Sequence, residues 1–159
     1  MSQRLTIEIP IRAVPGSNTK RGFVNPKTGR VIIADKAKGK AAYTAALRMF
    51  AEQAVNDSKW TRIEGAVLLI LEFFYLRPKG HFGTGRNAGI VKPSAPEFKT
   101  TKPDLANLLK PTEDALKGIV WRDDSQVVRT ILNKDYGEKE LVRIQVAELV
   151  TPGRIERIP

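Results

Sequence analysis

Lys102-Pro103-Asp104-Leu105-Ala106-Asn107-Leu108-Leu109-Lys110, followed after a ten-residue interval by Trp121-Arg122-Asp123-Asp124-Ser125-Gln126, decides how this chain is read. Leu105, Leu108, Leu109, Leu116 and Ile119 recur at helical spacing on one face, while Ala106, Lys110, Glu113 and Lys117 lie along another. Asp104 stands at the N-cap of this helix, where a carboxylate accepts backbone N–H bonds. Pro111 removes one internal hydrogen bond and clashes with the preceding turn, which predicts a kink there or a fresh start at Pro111. Gly118 then ends the helix.

Strands flank it. Ala66 to Leu76 is an almost uninterrupted apolar and aromatic run with only Glu72 charged, which predicts a strand covered on both faces. Gln126 to Asn133 and Glu140 to Val150 predict two more, joined by a turn through Asp135-Tyr136-Gly137. Towards the amino terminus, Leu5, Ile7, Ile9 and Ile11 alternate with polar residues as in a half-buried strand, which Pro10 places near an edge or an end. Pro15 to Arg30 reads as a loop holding the turn signature Asn25-Pro26-Lys27-Thr28-Gly29. An Ala-rich stretch from about Lys36 to Asn56 carries Tyr43, Leu47, Phe50, Ala54 and Val55 at helical spacing. The order β-α-β-loop-α-β-β predicts an α+β fold in a single domain over residues 1–150, a mixed sheet with helices packed on it. Residues 151–159 read as a tail.

The charge distribution is uneven. The 159 residues carry a net charge of +10, and the first 40 hold nine Lys or Arg against only Glu8 and Asp35. A sequence pI near 10.0 favours a nucleic acid or another polyanion as partner, against the plain reading of a solvated basic surface. Yet five of the 17 acidic residues, Asp104, Glu113, Asp114, Asp123 and Asp124, fall within 21 positions. Carboxylates gathered in a basic chain suit a divalent cation that can then meet a phosphate. There is no cysteine and His81 is the only histidine, which removes disulfide scaffolds, thiol nucleophiles, His-rich metal sites and the usual triads. No apolar signal region opens the chain and no stretch approaches membrane-spanning length, so a soluble, cytoplasmic protein without a membrane partner is expected.

Arg77 to Thr101 holds four glycines, three prolines and the basic residues Arg77, Lys79, Arg86, Lys92 and Lys99. Glycines let backbone approach a phosphodiester chain closely, so this long loop reads either as a DNA-contacting element, with Lys102 beside it, or as a solvated flexible insertion. His81 reads as a surface residue without chemistry.

The 102–110 run, Asp114-Ala115-Leu116, Gly118 and Trp121-Arg122-Asp123-Asp124-Ser125-Gln126-Val127 together resemble the RusA family of Holliday junction resolvases. That family's motif is Asp-x-Asp-Asn-Leu-x-Lys, then Asp-Ala-Leu and a later Asp-Asp. Arg77-Pro78-Lys79 and the glycine-rich loop also resemble phage-borne members. The resemblance implies a homodimeric, magnesium-dependent endonuclease, with manganese able to substitute, that nicks four-way DNA junctions symmetrically. It assigns Asp104 and Asp124 as catalytic and metal-binding, Lys110 as the essential lysine, and Asp123 as a further metal ligand. Magnesium keeps several waters and takes few protein oxygens, so a few aspartates suffice to activate a water against a phosphodiester. Lys110, one helical turn from position 106, is placed to neutralise charge on the scissile phosphate or the leaving oxygen.

The second motif aspartate falls on Ala106. Removing one of three carboxylates weakens metal binding and misplaces the water, so cleavage is expected to be impaired or absent. Two explanations fit: a deliberately inactivated form, favoured because the other motif positions are intact, and a natural lineage that keeps binding without cutting. Singly, Asp104 is an ordinary N-cap, Asp123-Asp124 a turn and Lys110 a solvated residue; it is their conjunction that reads as a site. Trp121 reads as a core or rim aromatic, and Glu113 and Asp114 as helix-surface carboxylates, with support of the lysine or a metal water as the alternative for Asp114. The rival functions are a non-catalytic basic nucleic-acid-binding protein and a branched-DNA nuclease on the same scaffold.

Overall fold

Alternation of Leu5, Ile7 and Ile9 with Arg4, Thr6 and Glu8 produces strand β1 (Arg4–Ile9), whose apolar side chains are buried while the others are exposed. Pro10 cannot extend the ladder, and the strand stops before it at an edge of the sheet. The computed structural model describes residues 3–16, 21–24, 28, 31–34 and 39–150. The remaining strands are β2 (Arg21–Val24), β3 (Val31–Ala34), β4 (Ala66–Leu76), β5 (Val127–Gly137) and β6 (Leu141–Leu149), with helices α1 (Lys40–Ser58) and α2 (Leu105–Leu116).

The fold is α+β, built on a mixed four-stranded sheet in the order β1-β6-β4-β5. The β1–β6 and β6–β4 pairs are antiparallel, and β4–β5 is parallel. A parallel neighbour needs a crossover, which the 77–101 loop and α2 supply. Val67, Leu69, Leu71 and Phe73 of β4 meet Val142, Ile144 and Val146 of β6 and the β1 apolar set on one face. Tyr43, Leu47 and Ala51 of α1 and Leu108, Ala115 and Leu116 of α2 belong to the same core. Each buried Val, Leu, Ile or Phe side chain contributes roughly 1.5–3 kcal/mol. Trp121, fully buried, belongs to it too.

Several expectations are corrected. β4 has the predicted bounds, but only one face is covered; Leu68, Ile70, Glu72 and Phe74 on the other are partly exposed. Both helices lie on one side, and the opposite face carries a ladder in which Arg143 donates to Glu8 Oε1 (2.7 Å) and Glu72 Oε2 (3.3 Å). Residues 15–30 are not one loop: β2 and β3 form an antiparallel hairpin, and of the expected Asn25–Gly29 turn only Thr28 is described. Helix α1 begins at Lys40, after Gly39 in a left-handed conformation (φ 84°), where the sequence suggests Lys36; residues 36–38 lie outside the described set. Asp135, Tyr136 and Gly137 are not a turn but the end of β5, paired with Phe74, Tyr75 and Leu76. The chain turns at residues 138–140, and β5 and β6 flank β4 without pairing to each other. The expected tail lies outside the described residues.

Helix α2 runs through Pro111 without a break. Proline leaves the Asn107 carbonyl without its helical donor. The Gly16 N–H takes that place at 2.7 Å, so the defect in α2 becomes its tie to the segment after β1. The 77–101 stretch is likewise not a structureless insertion. It contains single 3-10 turns at Lys79–His81 and Gly85–Asn87, a Phe82–Val91 bridge and a Gly83 N–H bond to Ile90 O of 2.9 Å. Gly83 is required there, because a Cβ would stand 2.7 Å from the Asn87 carbonyl oxygen.

Candidate active site

The two acidic segments meet at the exposed side of α2. Lys110, four residues before Asp114, reaches its Oδ1 at 2.8 Å and also contacts Asp124 Oδ2 at 3.1 Å. Lys117, just past the end of α2, lies 3.3 Å from Asp123 Oδ2 and 3.5 Å from Asp124 Oδ2. Asp124 is thus held by two ammonium groups through one oxygen, while its Oδ1 is buried without a hydrogen-bond partner. Its hydrogen bonds to Asp114 first and Asp124 second raise the Lys110 pKa well above the ordinary lysine value, so it is cationic across the physiological range. Burial raises the Glu113 carboxyl against the opposing pull of Lys110.

A tight turn aims Asp124. Asp123 Oδ1 accepts from Ser125 N (3.1 Å), and Gln126 Oε1 accepts from Asp123 N (2.7 Å), a reciprocal capping box around the 3-10 turn Asp124–Gln126. The backbone donor at Ser125 comes first among the influences that lower Asp123 to about 2, ahead of Lys117. Trp121, buried in the core, fixes the start of this segment, with Ile63 N donating to Val120 O at 3.1 Å beside it.

The other arm of the site is held by lysines. Lys134 of β5 donates to the carbonyls of Thr101 (2.8 Å) and Pro103 (2.7 Å), and Lys99 donates to Thr101 Oγ1 and Lys102 O, both at 2.9 Å. These bonds fix the backbone that delivers Asp104 to the N-cap of α2. Asp104 occupies that position with extended backbone (φ −78°, ψ 145°), yet its side chain makes no capping bond, contrary to the expectation from sequence. Its carboxylate is exposed and, among the described residues, forms no ion pair. Ala106 is exposed one turn before Lys110 and offers no donor atom.

As it stands, this set does not close around a divalent cation. Among the described residues, no three His, Asp or Glu side chains come together as a metal-binding group. Ala106 offers no oxygen, and Lys110 and Lys117 both contact Asp124 Oδ2. What the arrangement provides is a cationic pair beside a carboxylate with one unbonded oxygen.

Of the basic residues expected at DNA, three are engaged inside the loop. The Arg77 guanidinium stacks 4.4 Å from the Tyr136 ring centroid and donates to Pro96 O (2.7 Å) and Glu97 O (3.3 Å). Lys92 donates to Gly80 O at 3.0 Å. Lys99 is only 9% exposed, with its ammonium 4.7 Å from the Tyr75 ring centroid, and burial lowers its pKa; it does not present its charge to solvent. Lys79, Arg86 and Lys102 are exposed. His81 is partly buried rather than a surface residue, edge-on to Tyr136 at 5.4 Å.

Sequence reading missed Lys117 and Gln126 as site residues. The Asp-x-x-Gln spacing of 123–126 is a capping-box signal that would have found Gln126. Lys117 carries no such local signal, since only the path of the chain after Gly118 brings the two aspartates back to it.

A family model described as endodeoxyribonuclease RusA matches residues 10–147 of the chain. A protein of Bacillus subtilis (strain 168), named uncharacterized protein YqaN, is 29% identical over 128 residues, covering 77% of this chain and 83% of its own length.

Proposed function

We propose that this chain, which belongs to the RusA family of endodeoxyribonucleases, recognises four-way or branched DNA and that its capacity to cut is limited by Ala106. The observation that carries the reading is the meeting of Lys110 and Asp124 on the exposed side of α2, next to position 106. In an intact site, Asp104, an aspartate at 106 and Asp124 would hold Mg²⁺, with Mn²⁺ able to substitute, and the metal would supply an activated water. Lys110 would neutralise charge on the phosphate or the leaving oxygen. Exposed Lys79, Arg86 and Lys102 would contact the backbone of the DNA. Two copies related by a two-fold axis would present two sites to equivalent strands and allow symmetric paired nicks. A nucleic-acid enzyme of this kind works in the cytoplasm, and no helix among the described residues is long and apolar enough to cross a membrane.

One observation favours a second reading, a basic nucleic-acid-binding protein that does not cut. The carboxylates here are neutralised by Lys110 and Lys117, as in an ordinary surface network. Restoring Ala106→Asp and assaying a synthetic four-way junction with Mg²⁺ separates the two. The cutting reading expects a gain of about 10²–10³-fold in nicking. No gain over the present chain would remove position 106 from the site. Junction affinity well above duplex affinity at matched salt is expected under the resolvase reading, and similar affinities with a steep salt slope under the other.

A further inference from the structure

Gln126 has every hydrogen-bonding position of its side chain filled. Its Oε1 accepts from the backbone N–H of Arg122 (2.8 Å) and of Asp123 (2.7 Å). Its Nε2 donates to the carbonyls of Ile63 (3.0 Å) and Gly65 (2.9 Å). A carboxamide has two donors and two acceptor lone pairs, so this one is saturated, and exchanging its oxygen and nitrogen would set like against like at all four contacts.

Those four bonds join two parts of the chain that the Ile63 N–Val120 O bond (3.1 Å) and the Arg122–Glu64 ion pair (3.6 Å) also hold together. On one side is the 122–126 turn; on the other is the segment that enters β4, the central strand pairing with both β5 and β6. Asp124 lies between Gln126 and the two amides it binds. With Asp123 capping Ser125 N and Gln126 N donating to Asp123 O at 3.0 Å, little rotation is left to the backbone that carries Asp124. We propose that Gln126 is a positioning residue: by binding the Arg122 and Asp123 amides and the Ile63 and Gly65 carbonyls, it directs the Asp124 carboxylate at Lys110. The capping box gives Asp123 a backbone task of its own, so the two adjacent aspartates are not equivalent; Asp123 shapes the turn and Asp124 faces the site. An apolar residue cannot do this, because it offers neither acceptors for the two amides nor donors for the two carbonyls and would leave them to solvent.

The inference rests on the phosphodiesterase reading for its consequence but not for its geometry, and its test keeps the two apart. In the Ala106→Asp protein, Gln126→Ala and Gln126→Glu are compared for single-turnover nicking of a four-way junction and for junction affinity. Gln126→Glu keeps the acceptors for the two amides but sets a carboxylate against the Ile63 and Gly65 carbonyls. Both variants are expected to nick at least about tenfold more slowly with junction affinity held within about twofold, the signature of a misplaced reacting group rather than of lost folding. Unchanged nicking in Gln126→Ala overturns the proposal, and so does a loss of affinity that matches the loss of rate. If Ala106→Asp does not itself nick, the phosphodiesterase reading fails alone. The proposal is then decided by the crystal structure of Gln126→Ala in the present chain, together with amide exchange: it requires faster exchange at Arg122 and Asp123 and loss of the Lys110–Asp124 contact, and retention of that contact overturns it.

Discussion

The Tyr43 hydroxyl joins α1 to the helix that bears Lys110, meeting Thr112 Oγ1 at 3.3 Å inside the core. Thr112 also donates to Leu108 O at 2.9 Å, so its hydroxyl hydrogen is committed and Tyr43 is the donor in the shared bond. Burial raises the Tyr43 pKa from 10.0 to about 12. The folded protein therefore keeps a proton that the unfolded chain releases. Stability from this group is complete below the unfolded value of 10.0 and is lost as pH rises through the folded value of about 12. A shift of this size removes about 2 kcal/mol by a pH of about 11.5. Tyr43→Phe removes the hydrogen bond, costing about 1 kcal/mol at neutral pH, and removes the alkaline penalty with it. The variant is thus expected to be less stable than the parent at about pH 8 and more stable at about pH 11.5, with the order reversing near pH 11. Urea denaturation of both proteins at the two pH values reads this directly. Tyr75, whose pKa is also raised, by burial first and by Tyr43 second, is coupled to this titration, so the comparison is made with Tyr75→Phe in both proteins. A Tyr43→Phe protein that stays below the parent by the same margin at both pH values would refute the assignment of the proton to a buried, α2-bound hydroxyl.

Two further outcomes follow from the arms of the site. Lys134→Met removes the ammonium that binds the Thr101 and Pro103 carbonyls, and is expected to cost about 1–3 kcal/mol in denaturant unfolding and to speed amide exchange in the segment leading to Asp104; unchanged exchange there would show that the lysine does not hold it. Gly83→Ala forces a Cβ against the Asn87 backbone, so the 79–92 loop is expected to open at a cost of about 1–3 kcal/mol, seen as protease sensitivity within the loop while the sheet keeps its protection.

The elements with strong periodicity were legible before any coordinates. β4 has the bounds its apolar run suggests, and α2 carries its leucines inward, because one residue type repeated at one spacing leaves a single face to bury. The adjacency of strands was not legible: nothing local in Val127–Gly137 says that it pairs in parallel with β4 rather than as a hairpin with β6. β2 was read as loop and β3 was not read as a strand, since four-residue strands are too short for alternation to stand out from a turn-rich background. At the site, the motif pointed to Lys110 and Asp124, and the coordinates place them together. It could not reveal that Arg77, Lys92 and Lys99 direct their charges at neighbouring carbonyls, since a cationic loop residue looks the same in sequence whether it faces a phosphate or its own backbone.

The Gly16–Asn107 bond has a bearing on how α2 is seated. Apolar contacts between a helix and a sheet are interchangeable, and a helix gripped only by leucines can slide by a turn and find similar contacts again. A proline-orphaned carbonyl occurs once along the interior of α2, so the partner that claims it recognises a single axial position. Pro111 thereby works as an index mark: it converts a continuous choice of helix register into a discrete one, and Lys110, its immediate neighbour, inherits that setting.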